Sequence, residues 1–476
     1  MIYSNNATLL RRELITKLAK LFIEGDIKDI DRIPLQIAPR NSVPIRGSIA
    51  KDRAILKYML MALLGYNISD EEDELMTLAE YAKKSLENHN PGKNILTVVD
   101  EACSSCIKTN YIVTNLCRGC VARPCTLNCP RHAISFIGGR AKINTDLCVN
   151  CGKCMEVCPY HAIVYVPVPC EESCPVKAIS KDENGIEHID NDKCIHCGKC
   201  ILACPFGAIM AKSQIIKILK RIKTPNEKVI ALVAPSIIGQ FKASLPSILE
   251  GIKRIGFDKV IEVADAAVTV AENETEEFLE RMEKGDDFMT TSCCPAYTEL
   301  VKKHVPQIQK NVSNTRSPMH FSAKYAKEHF PEYSTVFIGP CIAKQFEGIY
   351  DECVDNVMNF EELGSLFIAM NIDVSKIDAP EKISNESEIG RWFAASGGVS
   401  NAIAATITDP SMVKGLKING INKKTANLLK IYSKKCPGNF IEVMACEGGC
   451  IAGPVTVCNP KVADKQLKKF FEDNKK

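Results

Sequence analysis

Apolar residues recur at helical spacing at Leu10, Leu14, Leu18 and Leu21-Phe22, again from Ala50 to Leu64, and again from Glu71 to Leu86. Spacing of three and four residues is that of amphipathic helices burying one face. Residues 1–100 therefore read as a small all-α N-terminal domain whose task is packing or docking. Pro34, Pro39 and Pro44 separate its first two helices, because proline lacks the N–H a helix needs and clashes with the preceding turn. From about residue 213 the rhythm changes. Short β-branched runs at Lys228 to Val233, Lys259 to Val263, Asp287 to Thr291, Ser334 to Ile338 and Asn439 to Met444 alternate with helical stretches. This alternation predicts an α/β domain over residues 213–476, with mostly parallel sheets in two lobes. The lysine-rich end, Lys465 to Lys476, reads as a solvated terminal helix.

Residues 101–212 follow neither rhythm; an internal repeat governs them instead. Cys125-Thr-Leu-Asn-Cys129-Pro leads to Cys148-x2-Cys151-x2-Cys154-x3-Cys158-Pro. The pattern returns as Cys170-Glu-Glu-Ser-Cys174-Pro leading to Cys194-x2-Cys197-x2-Cys200-x3-Cys204-Pro. The spacing C-x2-C-x2-C-x3-C-P wraps three thiolates around one corner of a [4Fe-4S] cubane and sends the fourth to a neighbouring cluster. It predicts an α+β ferredoxin-like iron-sulfur domain. One cluster is expected on Cys148, Cys151, Cys154 and Cys204, and a second on Cys194, Cys197, Cys200 and Cys158. Zinc favours isolated C-x2-C pairs in tetrahedral sites and fits two interlocked quartets poorly. The repeat is also an internal comparison. His132 and His161 stand third after a cysteine, where the other copies carry Lys177 and Gly207, so these histidines read as packing residues and not as ligands.

Eight more cysteines in this segment suffice for two further clusters. The run Cys117-x2-Cys120-x4-Cys125-x3-Cys129-Pro resembles half of a four-cluster ferredoxin, and the crossing rule groups Cys117, Cys120 and Cys125 with Cys174, and Cys103, Cys106 and Cys170 with Cys129. No G-x-G-x-x-G fingerprint for flavin or nicotinamide follows a strand anywhere, so electrons are expected from a protein partner. Composition narrows the setting. Of 476 residues, 46% are apolar and 25% charged, which allows a large buried core, and no apolar run approaches the length of a membrane span. Met1-Ile2-Tyr3 opens no signal-peptide pattern, so a reducing cytoplasmic location is expected, in which cysteines stay as thiolates that bind metal. Lysines and arginines interleave with acids along the chain, which argues against a nucleic-acid partner.

Five of the remaining cysteines lie in three motifs placed just beyond expected strand ends. They are Thr291-Ser-Cys293-Cys294-Pro, Gly339-Pro-Cys341-Ile-Ala-Lys344 and Met444-Ala-Cys446-Glu-Gly-Gly-Cys450. In an open α/β sheet the carboxyl ends of the strands border the ligand crevice, so distant loops can converge there. Cys353, Cys436 and Cys458 fit no motif and read as free thiols.

These motifs resemble the signature of the [FeFe]-hydrogenases. The resemblance spans about residues 100 to 460 and implies reversible conversion of two protons and two electrons to H2. It implies an H-cluster, which is a [4Fe-4S] cubane joined to a two-iron unit carrying CO, CN and an aza-dithiolate. It further implies four accessory [4Fe-4S] clusters, a ferredoxin-like donor, and maturation proteins that deliver the two-iron unit. Carried over by position, Cys294, Cys341, Cys446 and Cys450 correspond to the cubane ligands, with Cys450 also bridging to the two-iron unit. Cys293 corresponds to the thiol that passes protons. Lys344 and Pro235-Ser236 correspond to groups that hold the two cyanides, and Met444 packs beside the two-iron unit. Glu276 and Ser313 resemble members of the proton path, with Glu347 in the second motif. The position expected to hold the inner glutamate reads Asn273, between Glu272 and Glu274. An amide does not exchange protons as a carboxylate does, so a detour through a neighbour or water is expected. Gly339, Met319, Tyr297 and Ala452-Gly453-Pro454 depart from the best-studied members and resemble the branch often called group B. Two relatives of other function share parts of this pattern: hydrogen sensors of slow turnover, which usually carry a signalling module, and assembly proteins of the nuclear prelamin-recognition-like family, which lack the two-iron unit. Retention of Cys293, Lys344 and Ser236 favours the enzyme.

Overall fold

The computed structural model describes residues 5–71, 73–87, 92, 94–104, 106–379 and 387–473. Helix α1 (Asn6–Glu24) begins where the Asn5 side chain accepts from the Thr8 N–H at 2.9 Å, which satisfies one of the free amides of the first turn. Helix α2 (Ile49–Leu63) is capped in the same way by Ser48. Helix α3 (Leu78–Glu87) starts seven residues later than the apolar rhythm from Glu71 suggests. Thr77 and Glu80 form a reciprocal capping pair there, and this local bonding fixes the start more firmly than periodicity does.

The helical segment does not bury a core of its own. Leu14, Leu18, Ile55 and Leu60 belong to the same hydrophobic cluster as Ile230, Leu232, Ile338 and Leu363 of the α/β part. Leu96–Val98 also pairs antiparallel with Ile209–Ala211 at the end of the iron-sulfur segment. A single acid fastens α1. Arg11 donates twice to Glu361, at 2.8 and 3.0 Å, and Arg12 donates to the same carboxylate and to the Thr456 carbonyl. Glu361 lies in the first turn of the helix Phe360–Ala369 and is only 2% exposed.

The iron-sulfur segment consists of short antiparallel hairpins, Tyr111–Val113 with Ile163–Tyr165, Ile134–Ile137 with Arg140–Ile143, and Ile179–Lys181 with Glu187–Ile189. What its four copies of Cys-Pro share is backbone shape. His132, His161, Lys177 and Gly207 all adopt positive φ, between 47° and 65°. The alanine that follows each one donates its N–H to the preceding cysteine sulfur, at 3.2 to 3.4 Å. The turn needs a left-handed residue, not a particular side chain.

Two parallel sheets make up the rest. Strands β1 (Lys228–Val233), β2 (Lys259–Glu262), β3 (Met289–Thr290), β4 (Tyr333–Gly339), β5 (Asn356–Asn359), β6 (Gly415–Asn419) and β7 (Phe440–Met444) form a four-stranded sheet in the order β2-β1-β4-β5 and a three-stranded one in the order β3-β7-β6. Every pairing in both sheets is parallel. β1 is buried at every residue but Lys228, as a covered parallel strand requires. β5 and β6 were not expected: Asn356-Val-Met-Asn359 and Gly415-Leu-Lys-Ile-Asn419 are short and half polar, and carry a weak strand signal. Among the described residues no helix is long and apolar enough to cross a membrane.

Because Arg11 and Glu361 are both buried, removing one leaves the other uncompensated. Glu361→Ala is expected to lower the unfolding free energy by about 3–5 kcal/mol, read from urea melts. A loss under about 1 kcal/mol, typical of exposed pairs, would show that this contact does not anchor α1.

Candidate metal centre

The strand ends deliver the motifs. Pro235-Ser236 follows β1, Cys293-Cys294 follows β3, Cys341 follows β4, and Cys446 and Cys450 follow β7. All of these residues line one cavity, together with Lys344, Met319, Phe337, Phe393 and Met444. Cys294 and Cys341 are the N-caps of the helices Pro295–His304 and Ile342–Tyr350, whose free amides and dipoles favour negative charge at that point. The turn that brings Cys450 back has Gly448 and Gly449 at φ of 99° and 92°. A Cβ on Gly453 would lie 2.4 Å from the Pro340 carbonyl oxygen, so this glycine lets the last loop close on the second motif.

The electrostatics describe a set of sulfurs that needs a cation. Burial, and then repulsion from one another, pushes the Cys341 thiol up to about 12 and Cys446 well above the ordinary range. Cys450 is raised to about 12 by burial and by Cys294. Four such thiols cannot ionise together unless iron supplies positive charge. The cavity also extends past the sulfurs. At about 90 Å³ it exceeds the two cysteine-lined cavities of the iron-sulfur segment, at about 20 Å³ each. Its wall includes the Ser236 Oγ, which is buried and has no hydrogen-bond partner among the described residues. Burial opposes the charge of Lys344, but Glu347 at 2.7 Å, then Cys341 and Cys293, outweigh it and raise the ammonium. An orphan hydroxyl and a buried cation on an otherwise apolar wall fit a group bearing small anionic ligands beside the cubane. The residues present thus fit an H-cluster. Phe337 fills the space next to Gly339, since a Cβ there would meet its ring at 2.5 Å, and a methionine at that position would collide with it.

The proton-path residues need correction. Helix α4 (Val263–Glu283) turns Glu274 inward, fully buried, where it accepts from the Ser292 N–H at 3.2 Å and leaves its second oxygen unpartnered. After burial itself, Glu274 is the largest charged influence raising the Cys293 thiol. One turn on, Glu277 accepts from Ser313 at 2.7 Å and also bonds Asn314 and Arg281. Glu276 is exposed and makes none of these contacts, and Asn273 is half-buried. The carried-over positions were one residue out of register. The helix itself held the signal: Ala264, Ala267, Val270, Ala271 and Phe278 mark its buried face, and Glu274 falls on that face.

The accessory cysteines also group differently from expectation. One cavity is lined by Cys117, Cys120, Cys125 and Cys158, and another by Cys129, Cys148, Cys151 and Cys154. Cys103 and Cys170 both sense the charge of Cys204, whereas Cys194 and Cys200 both sense that of Cys174. Cys204 and Cys158 therefore do not exchange between the two repeats. Each repeat closes on itself, because the short helices Pro124–Leu127 and Lys153–Glu156 pack together, as do Pro169–Ser173 and Lys199–Ala203. The thiol after each helix reaches the adjacent loop. Cys197 lines the central cavity as well, so the last accessory group abuts the centre.

Known proteins agree with this geometry. The family described as "Iron only hydrogenase large subunit, C-terminal domain" matches residues 227–454, and a "4Fe-4S binding domain" and an "LdpA Fe-S cluster-binding domain" match residues 141–164 and 164–215. The chain is 30% identical over 373 residues to the periplasmic [Fe] hydrogenase large subunit of Nitratidesulfovibrio vulgaris, covering 66% of this chain and 85% of that protein. The chain belongs to the iron-only hydrogenases. Iron hydrogenase 1 of Clostridium pasteurianum is 28% identical over 404 residues, covering 71% of this chain and 69% of that one. A cytosolic Fe-S cluster assembly factor of Xenopus tropicalis is 22% identical over 331 residues, or 55% and 69% of the two chains. As an iron-only hydrogenase the chain is an oxidoreductase acting on H2 and carries iron-sulfur sites.

Burial raises Glu274 to about 7, so near neutral pH it can both hold and release a proton. Glu274→Gln is expected to lower H2 turnover by about 10²–10⁴-fold, while Glu276→Gln stays near wild type. Stability gives an independent reading. A carboxyl with a raised folded pKa binds its proton better folded than unfolded, so its favourable contribution is lost as pH climbs from the unfolded carboxyl range through about 7. Above that pH, Glu274→Gln should melt no lower than wild type. Loss of activity in Glu276→Gln with Glu274→Gln intact would restore the other register.

Proposed function

We propose that the chain catalyses reversible interconversion of two protons and two electrons with H2 at an H-cluster, supplied with electrons through four accessory [4Fe-4S] clusters from a ferredoxin-like carrier. The observation that carries this reading is one cavity lined by four motif thiols, the orphan Ser236 Oγ, Lys344 and the buried thiol of Cys293. Cys294, Cys341, Cys446 and Cys450 would hold the cubane, with Cys450 shared with the two-iron unit. When bound, the H-cluster would supply the redox chemistry by which protons and H2 interconvert.

The protein's own part is binding, orientation and proton traffic. Lys344 and Ser236 hold the anionic ligands of the two-iron unit by charge and hydrogen bond, while Pro235, Met444, Phe393 and Met319 keep that side dry, which strengthens both interactions. Cys293 stays protonated because burial and the neighbouring Glu274 oppose its thiolate. It gives its proton inward and is refilled from Glu274. Ser313 and Glu277 then continue the path toward Asn314, at the exposed surface. Burial alone would raise Glu277, but Asn314, Ser313 and Arg281 hold it below the ordinary carboxylate range, so the outer carboxylate releases protons more readily than the inner one. Residues 101–212 act as the electron relay and residues 213–476 as the catalytic domain. The departures at Gly339, Met319 and Tyr297 support placement in the group B branch.

Assembly relatives without a two-iron unit have no use for the apolar extension beyond the thiols. Protein matured with the two-iron cofactor should contain about 22 irons, five cubanes and two more, and show infrared bands of CO and CN on iron. A matured protein without those bands would refute the H-cluster. Cys293→Ser should keep the bands and lose nearly all turnover, and unchanged turnover would remove the relay role.

A further inference from the structure

Charge is not spread evenly through the iron-sulfur segment. Residues 107–165 carry seven lysines and arginines against two acids, whereas residues 166–212 carry five against seven. The two repeats also differ in depth. Cys170, Cys174, Cys194, Cys200 and Cys204 are buried and Cys197 is half-buried, while Cys117, Cys120, Cys129, Cys148 and Cys158 are half-buried, Cys151 is exposed, and only Cys125 and Cys154 of residues 117–158 are buried. Cys197 touches the central cavity, so residues 166–212 hold the inner end of the segment, and residues 107–165 are the part a carrier protein would reach. Within them, Tyr111, five residues past Cys106, lines the cavity of Cys129, Cys148, Cys151 and Cys154, which leaves the cavity of Cys117, Cys120, Cys125 and Cys158 outermost.

Around that outermost cavity stand three exposed arginines. Arg118 lines it, and the Arg123 guanidinium lies 4.1 Å over the ring of Phe136, which also lines it. Arg140 donates to Asn115 at 2.7 Å, on a hairpin whose Gly139 carbonyl would lie 2.1 Å from a Cβ on Gly119. Neither Arg123 nor Arg140 pairs with a carboxylate among the described residues. Close to these cations in sequence or across the hairpin, Val121 is 98% exposed, Leu127 80% and Ile137 61%. An apolar centre within a charged rim is the layout of a protein-protein interface.

We infer that this face docks the carboxylate-rich face of a small electron-carrier protein, which delivers its electrons at Cys117, Cys120, Cys125 and Cys158. The inference rests on reading those cysteines as a cluster. In each encounter one electron passes from the reduced carrier to the cluster with no bond made or broken, so two encounters supply one H2. The arginines steer the carrier and fix its orientation, and the apolar centre excludes water between the redox groups.

The test uses the matured full chain and a strongly acidic plant-type [2Fe-2S] ferredoxin. Arg123→Glu combined with Arg140→Glu should raise both the KM for reduced ferredoxin and the calorimetric Kd of oxidised ferredoxin about tenfold or more, with H2 evolution from reduced methyl viologen unchanged. Added NaCl should slow the wild-type ferredoxin reaction steeply and the variant's little. An equal charge reversal far away, Lys465→Glu with Lys469→Glu, should change none of these. An unchanged Kd in the arginine variant overturns the docking surface, as would wild-type protein binding phosphatidylglycerol vesicles as tightly as ferredoxin. Absence of viologen-driven H2 in the wild type would count against the hydrogenase reading instead, and the ferredoxin Kd would still decide the surface.

Discussion

Four thiols that line one cavity and repel one another set the terms for the rest of this molecule. Cys294, Cys341, Cys446 and Cys450 are all pushed toward the neutral form by burial, and the last three are pushed further by the charge of Cys294. They can be held together as thiolates only around a polycationic metal core. Much of the architecture serves that convergence. Two parallel sheets each direct strand ends at one cavity, the helices after Cys294 and Cys341 turn their positive ends toward the sulfurs, and the glycine turn before Cys450 closes the ring. A parallel sheet suits this task, because all its carboxyl-terminal loops emerge at one edge.

The same low dielectric bears on the proposed proton and electron routes. Burial raises Glu274 to about 7 and keeps Cys293 protonated, so two adjacent groups hold exchangeable protons without a compensating ion pair. A carboxylate paired with an arginine there would be ionised permanently and could not pass a proton on. The arginine stands one turn away instead, where Arg281 binds Glu277 at the outer end of the path. The proposed relay would thus run from a neutral interior to a charged exit. The cysteine groups show a similar trend, from mostly half-buried or exposed at residues 117–158, Cys125 and Cys154 apart, to buried at residues 170–204, Cys197 apart.

Much of this could be read from the residues. The metal centre was legible because ligand chemistry tolerates little variation: thiolates, their spacing and their places after strand-like runs are recorded directly in the sequence. Parallel β1 and β4 were legible as unbroken apolar runs. What escaped was set by geometry between segments. The grouping of Cys158 and Cys204 depends on which short helices pack together, and spacing rules do not record that. The helix start at Leu78 followed from a Thr77–Glu80 bond that periodicity overlooks. Strands β5 and β6 take their conformation from the neighbours they pair with and not from their own composition.

Glu274 is the instructive case, because the information was present. Carrying positions over from a family treats the chain as a string, and an error of one residue in a helix rotates a side chain by about 100°, from interior to solvent. The amphipathic pattern of α4 corrects that error without outside reference, since the apolar residues at Ala267, Ala271 and Phe278 define an inward stripe that includes Glu274 and excludes Glu276. An acidic residue on the buried stripe of an otherwise ordinary helix has no packing reason to be there. Its unpartnered oxygen, its place beside Cys293 and its near-neutral titration all concern proton movement, and in this fold such a group carries more functional information than the family position it displaced.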